Sequence, residues 1–391
     1  MRKHHLFTPG PTMVPADVAL AGARDMIHHR TDEFRSLYEK CHSQLQELLG
    51  TKQPVLTLLG SGTAAMEAAI GGILSPGERM IAFNGGKFGE RWAKIGRTLG
   101  CEVHEVIYEW SDYTSVDKLE QALEECPDAV AVFVQLSETS SGIANPVKEL
   151  AEICREHDKL IVVDGISGFP AMPCPMDEWG LDVMVTASQK GMMMPPGLGI
   201  IALSKRAQAR VEQTPARIFY NDLKAQLKAH AKSNHAWTSG VSLHQQLSVA
   251  LDELLREGLD AVHRRSHIQG EAVRGAARAL GFKLLNEKRP GDVLTPVLMP
   301  EGVRGSEVAK YCRANWGIYF AAGQGDYTDK IVRIGHLGYQ DHFETIMAVA
   351  AFEMAMKHFG ADIELGKGVK VAQEILMADL EAQAKRTAAS S

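Results

Sequence analysis

The chain has 391 residues, which at about 150 residues per domain is enough for two or three folding units. It carries 42 basic and 48 acidic residues, a formal net charge of -6, and 45% of its residues are hydrophobic. This is the composition of an ordinary globular protein. It excludes a small disulfide-stapled protein and gives no indication of nucleic-acid binding. Because the first ten residues lack an apolar core and no apolar stretch is long enough to span a bilayer, we expect a cytoplasmic protein with no membrane partner.

The cysteines and histidines show no metal-binding pattern. Six cysteines are scattered without a C-x-x-C pair, and none of the fifteen histidines has metal-ligand spacing with a carboxylate partner. We therefore expect reduced structural thiols and no metal site.

Helical patterns alternate with short β-rich segments between about residues 31 and 205. Apolar segments that are buried on both faces and separated by helices predict an α/β large domain with a mostly parallel sheet. The predicted strands are 54–59, 79–83, 102–107, 129–136, 160–164, 183–186 and 199–203.

The rest of the chain predicts a helical stretch and then a smaller α+β domain. An amphipathic helix over 369–384 is expected to have a packing or interface role, and 387–391 is expected to be disordered. The predicted helices are 243–257, 260–280, 306–315 and 341–359, and the predicted strands are 293–299, 317–320 and 331–334. The predicted organisation is an N-terminal arm (1–20), a large domain (21–270), a small domain (271–362) and a C-terminal extension (363–391).

A glycine-rich turn at residues 58–67 leads from a predicted strand into an alanine-rich helix. Free N–H groups and the dipole at a helix start attract phosphate, and the hydroxyls of Ser61 and Thr63 add donors. The spacing also matches a dinucleotide-binding turn, but the next strand ends in Asn84 instead of an acid. The turn thus predicts a phosphate site, with a nicotinamide-dependent dehydrogenase and a ligand-free turn as alternatives.

Two charged residues lie at or just beyond strand ends. Asp164 ends one apolar strand and Lys190 follows the next, and the carboxyl ends of parallel strands form the ligand crevice of such sheets. A partly desolvated lysine can form a Schiff base with an aldehyde, and a carboxylate can hold a pyridine nitrogen protonated. With a phosphate site, these groups suit pyridoxal phosphate. A structural ion pair or two unrelated surface charges is the alternative.

Nine short motifs occur along the chain in an order that resembles one known family. The chain resembles the class V aminotransferases, closest to the alanine-glyoxylate, serine-pyruvate and serine-glyoxylate group, over roughly residues 6–360. The resemblance implies a fold type I pyridoxal phosphate-dependent transferase. The motifs are TPGP from Thr8, HHR from His28, GSGT from Gly60, GKFGER from Gly86, ETSSG from Glu138, VD from Val163, SQK from Ser188, PPG from Pro195 and RIG from Arg333.

The resemblance implies a role for the residues of this chain that match the family's functional positions. Lys190 would bind the cofactor aldehyde and shuttle the proton, and Asp164 would bond the pyridine nitrogen. Phe88 and Ile166 would pack on opposite ring faces, and Thr139 would lie near the phenolic oxygen and the substrate carboxylate. The phosphate would be held by Ser61, Gly62, Thr63 and Gln189.

The substrate is implied to contact Gly10, Thr139 and Arg333. Arg333 would grip the α-carboxylate with two parallel hydrogen bonds, which a lysine cannot reproduce; a surface ion pair is the alternative. One loop departs from the family, since His235 stands where relatives have tyrosine and Thr238 is retained without the proline that follows in relatives. Either His235 replaces the phenol as a donor to the partner subunit's cofactor phosphate, or the pocket accepts a different amino substrate.

The expected function is transamination between alanine or serine and glyoxylate or pyruvate, in a homodimer with shared active sites. Three alternatives stay open at this point. They are another enzyme of the same fold (a ureidoglycine or aminophosphonate aminotransferase, a lyase or a desulfurase), a nicotinamide-dependent dehydrogenase, and a cofactor-binding subunit without turnover. A desulfurase would need a mobile cysteine, and neither Cys174 nor Cys312 is well placed for that.

Overall fold

A computed structural model describes residues 3–390, with side chains as far as residue 385. The strands are β1 (His5–Leu6), β2 (Val55–Gly60), β3 (Arg79–Asn84), β4 (Glu102–Ile107), β5 (Ala131–Gln135), β6 (Ser137–Glu138), β7 (Ile143–Ala144), β8 (Leu160–Asp164), β9 (Val183–Ala187), β10 (Gly197–Leu203), β11 (Leu294–Leu298), β12 (Ile318–Tyr319), β13 (Ala321–Ala322) and β14 (Ile331–Gly335). The helices are α1 (Ala16–Ala21), α2 (Asp32–Leu49), α3 (Gly62–Ile73), α4 (Lys87–Thr98), α5 (Val116–Glu125), α6 (Val147–Glu156), α7 (Met176–Trp179), α8 (Lys205–Gln213), α9 (Leu223–His230), α10 (Val241–Glu257), α11 (Leu259–Ala279), α12 (Gly305–Trp316), α13 (His342–His358) and α14 (Lys367–Ser390).

Within the described residues, a seven-stranded sheet has the order β2-β10-β9-β8-β5-β3-β4. Only β10 runs antiparallel to its neighbours, so the predicted mostly parallel sheet is confirmed, with strand ends within two residues of those expected. Successive side chains pack on opposite faces of the sheet: Val132 and Val134 belong to one hydrophobic cluster, and Phe133 belongs to the other. Helices therefore cover both faces, which explains why these strands are continuously apolar in sequence.

The direction of the strands determines where polar residues collect. Because β2, β5, β8 and β9 run the same way, their carboxyl ends lie along one edge of the sheet. Helix α3 begins beyond β2, Asp164 ends β8, and Lys190 follows β9. The candidate site lies at this edge.

The small domain contains the antiparallel sheet β11-β14-β13 with α12 and α13. The predicted strand at 317–320 is shorter than expected and lies outside this sheet, since β12 pairs with β1 of the N-terminal arm. The arm is thereby attached to the small domain, and Phe7 is buried in that domain's hydrophobic core. From there the arm continues to the sheet edge.

The helix α11 belongs to both halves of the molecule. Val262 packs in a core of the large domain, whereas Val273 and Ala276 pack in that of the small domain. The boundary predicted at residue 270 lies inside this helix, and it stays a prediction.

The C-terminal helix α14 is integrated into the small domain. Ala372 and Leu376 enter its core, Arg264 of α11 pairs with Asp379 at 2.7 Å, and Glu353 accepts hydrogen bonds from the first backbone N–H groups of α14. The helix extends to Ser390, into the segment 387–391 for which the sequence predicts disorder, and the last residue, 391, lies outside the described part of the chain.

None of the helices in the described chain has both the length and the apolar character needed to cross a bilayer. The expected cytoplasmic location stays a prediction. The six cysteines are buried and form no disulfide among the described residues.

Candidate active site

Lys190 lies in a buried turn after β9, with 8% of its surface exposed. Its Nζ donates to the Pro9 carbonyl at 2.6 Å, and its own carbonyl accepts from the Thr12 hydroxyl at 2.9 Å. A Cβ at Gly10, where φ is +124°, would lie 2.6 Å from Nζ. The N-terminal arm therefore passes directly over the amine, and a side chain at Gly10 would collide with it.

Burial favours the neutral form of this amine relative to an ordinary lysine. Desolvation lowers the pKa of Lys190 to about 8; the negative charge of Asp164 opposes this, and the positive charges of Arg333 and Arg91 add to it. A larger fraction of the amine is neutral near physiological pH than in an ordinary lysine, and the neutral amine is the nucleophile.

Asp164 is 4% exposed at the end of β8, where its Oδ1 accepts from the backbone N–H of Ile166 at 2.8 Å. Burial raises its pKa to about 7; the hydrogen bond from Ile166 opposes the rise and the charge of Glu138 adds to it. A protonated ring nitrogen beside a buried carboxyl would stabilise its charged form. This environment suits the pyridine nitrogen of pyridoxal phosphate.

The start of α3 forms the predicted phosphate site. Ser61 takes the N-cap position in an extended conformation, and its hydroxyl makes no capping hydrogen bond, so the first N–H groups of the helix lack a side-chain acceptor. A Cβ at Gly62 would lie 2.8 Å from Cγ1 of Ile166, which places Ile166 against this helix start. Gln189 has a buried amide oxygen without a hydrogen-bond partner among the described residues. Because an ionised phosphate only accepts, the side-chain N–H₂ of Gln189 would be its donor. The helix start fits a phosphate group.

Phe88 lies in the first turn of α4, and Arg91 follows one turn later. The Arg91 guanidinium carbon lies 4.8 Å from the Phe88 ring centroid, and its Nη1 donates to the Thr63 hydroxyl at 3.2 Å. The guanidinium thus connects the expected ring-stacking residue to the expected phosphate site. Arg91 was not predicted, although its spacing of three from Phe88 places both side chains on one helix face.

Thr139 connects the large and small domains. Its hydroxyl donates to the Ser167 hydroxyl at 2.7 Å, and its carbonyl accepts from Arg333 Nη1 at 3.0 Å. Arg333 also donates from Nε and Nη2 to the Ala322 carbonyl at 3.0 and 2.8 Å. It is 6% exposed, so it is a buried residue with defined partners and the surface ion pair considered as an alternative is wrong.

The contacts of Arg333 leave two donors free for a ligand. A guanidinium has five N–H groups, and these contacts use one on each nitrogen. One N–H remains on each terminal nitrogen, and a carboxylate can accept two guanidinium N–H groups in parallel. Burial lowers the pKa of Arg333 to about 10, so the group is cationic at neutral pH.

His235 is directed into its own subunit. It is 7% exposed, and its Nε2 lies 3.2 Å from the Thr57 hydroxyl and 3.1 Å from His244 Nε2. Burial and then the charge of His244 lower its pKa to about 2, so the ring is neutral. Thr238 is exposed beside an open cavity of about 530 Å³ that is also lined by residues 26–29. The contact of these two residues with a partner's phosphate stays a prediction.

The structure brings most of the predicted residues to one edge of the large sheet, and it adds two that the sequence did not single out. These are Arg91 and Glu138, both of which lie within motifs that carry the family resemblance. Glu138 is 2% exposed, and its charge affects both Asp164 and Arg333. Its role depends on contacts that local sequence does not contain.

Comparison with known proteins is consistent with this geometry. The family model described as aminotransferase class-V matches residues 6–332. The chain is 31% identical to an L-aspartate–glyoxylate aminotransferase of Paracoccus denitrificans, covering 94% of this chain and 95% of that protein. It is also 31% identical to a serine–glyoxylate aminotransferase of Methylorubrum extorquens, covering 96% of each chain. The crystal structure of a ureidoglycine–glyoxylate aminotransferase from Bacillus subtilis superposes with a TM-score of 0.91 at 25% identity, covering 96% of this chain and 99% of that one.

Proposed function

The chain belongs to the class V aminotransferase family, and from this membership we propose that it transfers an amino group from L-alanine or L-serine to glyoxylate or pyruvate. Enzymes of this family use pyridoxal 5′-phosphate, and the α/β architecture is that of fold type I enzymes. The dehydrogenase alternative is therefore wrong. Glyoxylate is the first choice of acceptor because it appears in the names of the three relatives described above.

The convergence of Lys190, Asp164 and Arg333 carries the proposal. The charges of Asp164 and Arg333 both act on the pKa of the Lys190 amine, so the three groups lie close enough to interact. In the proposal, the start of α3 holds the cofactor phosphate and Asp164 keeps the ring nitrogen protonated. Arg333 holds the carboxylate that every α-amino acid and 2-oxo acid shares.

The chemistry divides between cofactor and protein. When bound, pyridoxal phosphate supplies an aldehyde that reacts with amines and a ring that accepts the electrons released when an α-proton leaves. Lys190 would remove that proton with its amine and carry it for the return step. The Pro9 carbonyl, 2.6 Å from Nζ, would orient the amine.

A desulfurase would need a reactive, mobile thiol, and the cysteines do not support that alternative. Cys312 is fully buried inside α12, and burial raises its pKa to about 12. Cys174 is 3% exposed, and burial raises its pKa as well. Thiols in such environments are inert.

A homodimer with shared active sites is also part of the proposal. Phe219 is 80% exposed and Tyr220 is 47% exposed, and both stack on Trp237 in the loop next to Thr238. An exposed aromatic cluster of this kind marks an interaction surface. Sedimentation equilibrium is expected to give twice the chain mass of 42.7 kDa, and a monomeric mass for the active enzyme would contradict shared sites.

The test of function is a matrix of amino donors against glyoxylate, pyruvate and 2-oxoglutarate. The purified protein is expected to be yellow, to change its absorption when mixed with L-alanine or L-serine, and to release the corresponding keto acid. L-aspartate and ureidoglycine belong in the matrix because relatives carry these names. Turnover with L-aspartate alone would refute the proposed donors but not the reaction, whereas a yellow protein that reacts with no amino acid would be a subunit without turnover.

A further inference from the structure

A buried carboxylate, Glu138, contacts the helix that carries Phe88. Its Oε2 accepts from the backbone N–H groups of Phe88 at 3.1 Å and Gly89 at 3.0 Å. Its Oε1 accepts from the Ser140 hydroxyl at 2.5 Å and the Ser140 N–H at 3.0 Å. Each of these partners donates to the carboxylate, and their hydrogen bonds oppose the rise in the pKa of Glu138 that its burial causes.

Together these contacts replace the missing local cap of α4. Gly86, the N-cap residue, has no side chain to offer. The Ser140 hydroxyl accepts from the Lys87 N–H at 3.0 Å, and Glu138 accepts from the next two N–H groups. The first three N–H groups of α4 are thus satisfied from a segment about fifty residues away in sequence, and the negative charge lies where the helix dipole favours it.

The close approach depends on Gly86. A Cβ at this position would lie 2.5 Å from Cδ of Glu138 and would also collide with the Ser140 hydroxyl. The backbone of Gly86 is extended, with φ of 167°, a conformation open to any residue. Space for Glu138 and Ser140, not backbone strain, is therefore what glycine provides here.

The residue after Glu138 contacts the small domain. The Thr139 carbonyl accepts from Arg333, and the Thr139 hydroxyl contacts Ser167. The short segment 138–140 therefore contacts three elements, namely α4, β14 and the loop that follows β8. The segment 138–140 thus joins Phe88 of the large domain to Arg333 of the small domain, through the Glu138 carboxylate on one side and the Thr139 carbonyl on the other.

We propose that Glu138 is a positioning residue for the transamination site. It fixes the start of α4, and hence Phe88, relative to Thr139 and Arg333, and its charge contributes to the field around the bound cofactor. The titratable groups on which its charge acts are Asp164 at the end of β8, Tyr108 after β4 and Arg333 on β14. This inference rests on the proposed function, because Phe88 and Arg333 act on the cofactor and substrate of that reaction.

The test compares Glu138→Gln, Glu138→Asp and Gly86→Ala with the wild type. Three quantities are measured: the Kd of pyridoxal phosphate for the full chain after cofactor removal, the pH midpoint at which the bound cofactor changes colour, and the Tm. Glu124→Gln, an exposed glutamate on α5, is the matched control and should leave all three unchanged.

Glu138→Gln removes the charge and turns an amide N–H either towards the Ser140 N–H and hydroxyl or towards the N–H groups of Phe88 and Gly89, where the wild type has an acceptor. Its Kd is expected to rise about ten- to a hundredfold, because hydrogen bonds to a charged acceptor are lost. The colour midpoint is expected to move to lower pH, because losing a nearby negative charge disfavours the protonated form. A lowered Tm alone, with unchanged Kd and midpoint, would mean that Glu138 is merely structural and would overturn the proposal.

The other two variants keep the charge and disturb only the position. Glu138→Asp and Gly86→Ala are expected to weaken cofactor binding. The pH midpoint of the colour change is expected to stay close to the wild-type value. If Glu138→Gln does not fold, wild-type Kd values for both of these variants overturn the proposal, and weakened binding supports it. A wild-type chain that binds no pyridoxal phosphate would instead refute the proposed function itself.

Discussion

Replacing Lys190 by alanine is expected to reduce turnover by about 10⁴-fold or more, since both the nucleophilic amine and the proton carrier are lost. Among the described residues, Lys190 is the only lysine whose Nζ donates a hydrogen bond to the Pro9 carbonyl. Single-turnover absorption with L-alanine and glyoxylate measures the loss, and mass spectrometry after borohydride reduction reports covalent cofactor attachment. Lys205→Ala, at an exposed position of α8, is the control. Undiminished turnover in the Lys190 variant would remove the central assignment.

The same variant also tests the buried amine through its effect on stability. The folded-state pKa of Lys190 is about 8 against an ordinary value of 10.5, so the unfolded chain binds more protons between these pH values. The free energy of unfolding of the cofactor-free wild type is therefore expected to rise relative to the alanine variant from pH 8 to 10.5, by about 3 kcal/mol at most. Urea denaturation of both proteins across this range measures the difference, and parallel pH profiles would contradict the depressed pKa.

Replacing Arg333 by lysine is expected to lower kcat/KM for the amino donor by about 10²- to 10³-fold. The guanidinium donates three N–H groups to the carbonyls of Thr139 and Ala322, and the proposal assigns the other two to the substrate carboxylate. An ammonium has three donors on one nitrogen, so a lysine cannot hold both carbonyls and also offer a parallel pair. The loss should appear in both KM and kcat, because the carboxylate is held in the ground state and in the transition state.

The control for this substitution is Arg313→Lys, an exposed arginine on α12 of the same domain. Cofactor affinity should stay unchanged in the Arg333 variant, which separates substrate binding from the role proposed for Glu138. Wild-type kcat/KM for Arg333→Lys would contradict its assignment to the carboxylate.

Local patterns were reliable wherever the chemistry is local. Asp164 and Lys190 were expected at one edge of the sheet because each follows an apolar strand, and parallel strands end on the same side. The start of α3 was likewise predicted, since a glycine turn followed by alanines is typical of a helix start, and the phosphate site at this start belongs to the proposal. His235 shows the opposite case: local sequence did not indicate that its ring contacts Thr57 and His244 of its own subunit, and its contact with a partner's phosphate stays a prediction.

The sequence by itself determined the seven strands of the large sheet and the α/β fold class, because hydrophobic periodicity operates over a few residues, and the resemblance of its ordered motifs indicated the family. Only the tertiary structure decided which distant groups meet. The contact between Arg333 and Thr139 joins residues 194 positions apart, and the contact between Glu138 and Gly89 joins residues 49 positions apart. Such contacts arise from the packing of two domains and an N-terminal arm around one sheet edge, and no short segment of the chain contains the geometry that creates them.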